Sequence, residues 1–234
     1  MTPKGIKRFY KAAAAAETAG GFAIHLDGKP VKTPCGRTLV IPGPALAEAV
    51  AREWAEQDTT VRPDRMPLTQ LAATALDRVG PERATITAQL MNYAGTDLLC
   101  YRADFPPDLA LRQQDQWQPL LDWAAAALGA PLAVTQGIIA IAQPDTALAA
   151  LAAQLDQYDP WRLTAVQAAC AAAGSLVLAL AMAEARIDAA AAFALSQLDE
   201  TYQIEQWGED DEARARRTAL ARDIDAAARL LTLI

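Results

Sequence analysis

The sequence predicts an α+β protein. A small antiparallel β-rich N-terminal domain with one helix, residues 1–62, precedes a larger all-helical, orthogonal bundle-like C-terminal domain, residues 63–234. Three observations carry this. Phe22, Ile24 and Leu26 alternate with Ala23 and His25, the period of a half-buried strand. Asp27-Gly28 follows at once, the two-residue signal of a type I′ hairpin. Downstream of the prolines Pro63 and Pro67, apolar residues recur at helical spacing between Gly and Pro stops. Alanine fills roughly a quarter of the 234 residues, which favours helix further.

Taken in order, Arg8-Phe9-Tyr10-Lys11 is a short mixed segment, followed by the alanine run Ala12 to Ala16. The strand at Phe22–Leu26 turns at Asp27-Gly28 into a return strand over Lys29 to Thr33. Pro30 fits there only near an edge or strand start, because it has no N–H to give a ladder. Pro34-Cys35-Gly36 turns the chain again into Thr38-Leu39-Val40-Ile41, completing a meander with His25 on its solvent side. Pro42-Gly43-Pro44 opens a helix through Leu46, Val50 and Trp54, with Pro44 in the first turn. Gln57 to Pro67 is a polar linker, where the domain boundary is expected. Helices follow over Leu68 to Val79 and from Pro81 to about Ala94. Asp97 to Arg102 breaks the rhythm as loop or helix end.

Pro106-Pro107 starts a long helix with Trp117, Leu120, Leu121, Ala124 and Leu128 on one stripe, ended by Gly129. Gly137 to Ala142 is short, apolar and ambiguous. Asp159-Pro160 starts a long central helix through the uncharged stretch Leu163 to Ala183, with Ser175 in its middle. Asp188 caps a helix running to about Trp207. Asp210 or Asp211 caps the last, which carries Ala213, Leu220, Ile224, Ala227 and Leu231 on one side.

Composition excludes several functions. The chain carries 28 acidic and 21 basic residues, a net charge of −7, so general nucleic-acid binding is disfavoured. Its single histidine cannot supply a histidine-rich zinc site. Cys35, Cys100 and Cys170 are widely spaced and read as reduced thiols. No GxxxxGK[ST], GxGxxG or GxSxG motif is present, so nucleotide binding and a serine-nucleophile elbow have no sequence support. Leu163 to Ala183 is formally long enough to span a bilayer, but alanine, Thr164, Gln167, Gly174 and Ser175 make it a buried helix instead. Lys4, Lys7, Arg8 and Lys11 precede an apolar run too short for an export signal.

Carboxylates remain. On a helix from Asp188 to Trp207, Ala191, Ala194, Leu195, Leu198, Thr201 and Tyr202 share one face, and Glu205 falls in line with them. Asp199 and Glu200 point elsewhere and read as solvated. Two readings of Glu205 stand. The helix leaves the core at its last turn, or a carboxylate is held there for recognition, with Gln203, Gln206 and Trp207 offering donors and a flat aromatic face. Two other functions stand as alternatives: a small-molecule enzyme pairing Asp97 with Glu205, which would need a pocket joining the two, and a general protein-binding adaptor.

Several segments together resemble a known family. They are Arg8-Phe9-Tyr10-Lys11, Leu26 to Pro34, Glu53-Trp54, Met66-Pro67-Leu68-Thr69, Thr96 to Arg102, Gly174 to Ala181, and Asp199-Glu200 through Glu205-Gln206-Trp207-Gly208. Each is weak alone, but their number and order resemble the ATP synthase assembly chaperones that act on the alpha subunit of the catalytic head. The resemblance runs from about Arg8 to Glu212. It implies a non-enzymatic protein without cofactor, nucleotide or membrane insertion, whose partner is the free alpha subunit. It further implies a functional acidic residue at the position of Glu205. Tyr202, Gln206, Trp207 and Asp199 are expected partner-binding neighbours, with Tyr101 and Arg102 joining if their loop lies near. Eukaryotic members act in the mitochondrial matrix, and this alanine-rich chain reads as a bacterial cytoplasmic homologue.

Overall fold

The computed structural model describes residues 6–137 and 139–234. Lys4 and the Ile138 of the ambiguous apolar stretch lie outside them. The chain divides into two compact units. The first comprises residues up to Arg83 with Pro160–Thr164 and Arg229–Ile234, and the second Ala84–Asp159 with Ala165–Ala228.

The first unit begins with β1 (Ile6–Lys7), β2 (Ala13–Thr18), β3 (Gly21–Leu26), β4 (Lys29–Pro30) and β5 (Val40–Ile41). β3 is central: β2, β4 and β5 all pair with it, antiparallel. Asp27 and Gly28 both have positive φ, 47° and 82°, as a type I′ turn requires. Pro30 faces His25 in the ladder, and the Val31 N–H bonds to the Ile24 carbonyl one place further on. Pro30 therefore sits at a non-hydrogen-bonded pair and costs the sheet no donor. His25 is half-exposed, and its Nδ1 lies 3.2 Å from the Ala23 carbonyl. The alanine run proves to be a strand: β2 pairs residue for residue with β3, against alanine's helical preference. Tertiary pairing overrides a weak local propensity here.

Helix α1 (Pro44–Ala55) buries Leu46 and Val50 completely. The segment Arg8–Tyr10 meets the end of this helix: Arg8 donates to the carbonyl of Ala55 and to that of Gln57 just beyond it, and the Tyr10 hydroxyl donates to that of Trp54 at 2.7 Å. β6 (Thr60–Val61) pairs with β1 inside the polar linker. α2 (Pro67–Thr74) runs into a wider π turn at Ala75–Val79. Glu53 is buried and caps α2 from the neighbouring helix. Its two oxygens accept from the N–H groups of Leu68 and Thr69 at 2.8 Å and from the Thr69 hydroxyl at 2.7 Å.

The second unit is built on helices. α3 (Arg83–Gly95) leads to a 3-10 turn at Leu98–Cys100 and β7 (Tyr101–Arg102). α4 (Pro107–Leu128) ends at Gly129 with φ 67°. β8 (Thr135–Gln136) runs parallel to β7, and α5 (Asp145–Asp156) follows. The expected central helix is two. α6 (Pro160–Ala173) stops at Gly174, φ 69°, and α7 (Leu176–Ala183) restarts from Ser175. Ser175 is thus a buried N-cap and not a mid-helix residue: its hydroxyl accepts from the Leu178 N–H at 3.0 Å. No helix of the described residues is long and apolar enough to cross a membrane. The expected helix from Asp188 to Trp207 is also two, α8 (Ala189–Ser196) and α9 (Leu198–Trp207), broken at Gln197. Asp188 caps α8 by accepting from Ala191. Asp210 caps α10 (Asp211–Leu233) by accepting from Ala213.

Candidate functional site

The expected site residues lie on β7 and α9, with α4 supplying their partners. Tyr202 is buried, and its hydroxyl donates to Asp108 at 2.9 Å. One turn further along each helix, the Arg112 guanidinium meets Glu205 at 2.7 Å and stacks 5.3 Å from the Tyr202 ring. Asp108 and Arg112 are four apart on α4, so they present to α9 as one face. Glu205 has 43% of its side chain exposed, and Arg112 42%. An exposed pair of this kind is worth roughly 0.2–1 kcal/mol, so Glu205 does not hold the fold.

Asp199 corrects the expectation of a solvated carboxylate. It is half-buried and accepts from Gln113 Nε2 at 2.7 Å. Gln113 in turn accepts from the Ala103 N–H through Oε1 and from buried Arg102 through its backbone carbonyl. Arg102 stacks over Trp117, with 5.2 Å from guanidinium to ring centroid. Arg102, Asp199, Tyr202 and Glu205 therefore belong to one polar seam zipped by α4. Tyr101 is half-buried on β7, opposite Thr135 in the parallel pair. Gln206 and Trp207 stand in solvent at the end of α9, with Trp207 79% exposed.

Burial pushes the Asp199 carboxyl above its ordinary value, against the lowering effect of the Gln113 hydrogen bond. Between the unfolded value near ~3.9 and that raised value, the folded state holds more protons than the unfolded one. This group's contribution to stability then falls as pH rises through that window. The unfolding midpoint of wild type relative to Asp199→Asn should accordingly decline from acidic to neutral pH. A gap independent of pH in urea titrations would remove this assignment.

The acidic run after α9 is largely engaged locally. Glu209 meets Arg214 at 3.2 Å and Arg217 at 3.4 Å, and Asp211 meets Arg214 at 2.9 Å. Asp97 is fully buried with both oxygens occupied. They accept from the N–H groups of Leu99 and Val177 and from the Ser175 hydroxyl, at 2.8 to 3.0 Å. It is a helix-capping carboxylate with no face toward a substrate. Burial also pushes the Cys100 thiol up to about 12, which disarms it as a nucleophile. Among the described residues no three His, Cys, Asp or Glu side chains gather as a metal site.

Asp108, Arg112 and Gln113 were not legible as site residues. The available signal was Gln113 standing four residues before Trp117, a polar group in line with an apolar stripe.

Residues 7–125 match the family model of the ATP12 chaperone protein. Protein atp12, mitochondrial, of Schizosaccharomyces pombe is 27% identical over 219 residues, covering 88% of this chain and 75% of that protein. Among solved structures, Atp12 of Paracoccus denitrificans is 40% identical with a TM-score of 0.92, covering 97% of this chain and 98% of its own. The Atu1473 protein of Agrobacterium tumefaciens is 41% identical with a TM-score of 0.93, covering 97% and 85%. The chain belongs to the ATP12 chaperone family, the ATP synthase assembly chaperones its motifs resemble.

Proposed function

We propose that the protein binds the free alpha subunit of the ATP synthase catalytic head and covers its interface until the beta subunit takes its place. The observation that carries this reading is the end of α9, where Trp207 stands 79% exposed beside the half-exposed Glu205. An uncovered tryptophan next to a charge is a characteristic contact anchor. The protein acts without catalysis or cofactor, by binding and being displaced. Its grip on the client must then be weaker than the combined contacts of the assembled head. Asp199 and Arg102 position α9 and β7 from inside the seam, while Glu205, Gln206 and Trp207 make the contact, with Tyr202 behind them and Tyr101 at the β7 end. The family and the bacterial relatives support the bacterial cytoplasm as the place of action.

The test is Glu205→Lys. Circular dichroism should be unchanged, because both side chains are exposed, so the ion pair lost is a weak one and the new lysine can turn away from Arg112 into solvent. Capture of purified alpha subunit in a pull-down should fall at least about tenfold, since a charge is reversed at a contact. Normal capture by the folded variant would remove Glu205 from the contact surface.

A further inference from the structure

The first unit holds an unprotected sheet edge. In an antiparallel ladder, residues alternate between exchanging hydrogen bonds with the neighbour and pointing their N–H and C=O groups the other way. The Asp27 N–H bonds to the Ala12 carbonyl, which fixes the phase of β2 against β3. Ala14, Ala16 and Thr18 then bond inward, while Ala13, Ala15 and Glu17 direct their backbone groups outward. The same phase makes Ile24 turn away from β2, and its N–H and C=O do bond to Leu39 and Val31. Among the described residues β2 pairs only with β3, so its outward donors and acceptors have no strand beside them. Proteins usually guard such edges with lysine, proline or a bulge. Ala13 to Ala16 have none of these, and Glu17 is the strand's sole charge.

Beside this edge runs a groove of about 380 Å³ between β2 and α1. Ala13, Ala15, Ala51 and Ala55 line it with small side chains, while Glu17 on β2 and Glu48 and Arg52, four residues apart on α1, add polar and charged groups to its walls. We propose that the β2 edge is a strand-addition site for an extended segment of the client, a deepening of the reading given above, on which it rests. The added strand carries apolar side chains at alternate positions on the α1 side, where the alanine floor leaves room for them. Main-chain hydrogen bonds to Ala13, Ala15 and Glu17 supply the affinity. A second copy of this chain is the poorer occupant. A six-residue strip about 20 Å long and about 10 Å wide covers roughly 200 Å² a side, well short of the ~800 Å² per partner of a stable interface. A contact this small suits a client that must be released.

The experiment measures amide hydrogen exchange at single-residue resolution, with and without purified alpha subunit. Protection should appear at the outward amides of Ala13, Ala15 and Glu17 on binding, while those of Ala14 and Ala16 are protected throughout. Ala15→Pro removes one outward donor without breaking the β2–β3 ladder and should weaken capture about tenfold. If that variant does not fold, exchange on the wild type decides alone. Capture without new protection at the three amides overturns strand addition and leaves the client reading standing. Failure of the wild type to capture the alpha subunit overturns both. Protection that grows with protein concentration in the absence of client would assign the edge to a second copy and overturn the proposal.

Discussion

Trp117→Ala is expected to lower the unfolding free energy by about 4–5 kcal/mol, the upper range for emptying a core aromatic site. Trp117 is fully buried at the middle of α4. Three losses combine. The cavity forfeits the indole's packing. The Leu195 carbonyl, which accepts from the indole N–H at 2.9 Å at the end of α8, is left without that donor. The buried Arg102 guanidinium loses the ring beneath it, and its Nε already has no hydrogen-bond partner among the described residues. Trp117→Phe keeps most of the ring and should cost about 1–3 kcal/mol, mainly through the orphaned carbonyl. Urea unfolding followed by circular dichroism measures both. Equal costs for the two variants would show that packing contributes little beyond the hydrogen bond.

Asp97→Ala should cost about 3–5 kcal/mol by the same measurement. Its carboxylate joins the 3-10 turn at Leu98–Cys100 to the start of α7, 80 residues away in sequence at Val177. Removing it leaves the N–H groups of Leu99 and Val177 and the Ser175 hydroxyl unsatisfied in a fully buried place. Burial raises this carboxyl, and the bonds from Val177, Ser175 and Leu99 hold it back. Asp97→Asn retains one acceptor oxygen but turns an amide donor toward N–H donors, so it should recover only part of the loss. Full recovery by asparagine would mean that charge is irrelevant to the cap.

Asp97 also shows what most of the segments shared with the family do in the fold. The segment Thr96 to Arg102 and the segment Gly174 to Ala181 meet through Asp97 and Ser175. Glu53-Trp54 meets Met66-Pro67-Leu68-Thr69 through the Glu53 cap. Arg8 to Lys11 meets the end of α1, and the Asp27 carboxylate accepts from the N–H groups of Lys11 and Ala12. Most of the motifs are therefore paired fold contacts between segments distant in sequence. The α9 motif differs: its Asp199 is held inside, while Glu205 and Trp207 face solvent.

By itself the sequence determined the fold class, the hairpin at Asp27-Gly28, the proline-opened helices α1 and α4, the cap at Asp188, and the choice of Asp210 or Asp211 for the last cap. These depend on local preferences that a few adjacent residues express in full. Tertiary structure alone decided four matters. The alanine run Ala13–Ala16 became strand because β3 offered a ladder, and alanine's helical preference is too small to resist one. The apolar stretches of α6–α7 and α8–α9 each split in two, because Gly174 and Gln197 allow a break that periodicity alone does not show. Asp97 and Ser175 became a buried cap, since whether a carboxylate meets solvent or backbone N–H groups depends on a partner about 80 residues away. The seam around Glu205 was built by Asp108, Arg112 and Gln113, whose roles arise only when α4 lies against α9. Hydrogen bonds between distant segments leave no periodic trace in either one, so packing must bring them together before chemistry can assign them.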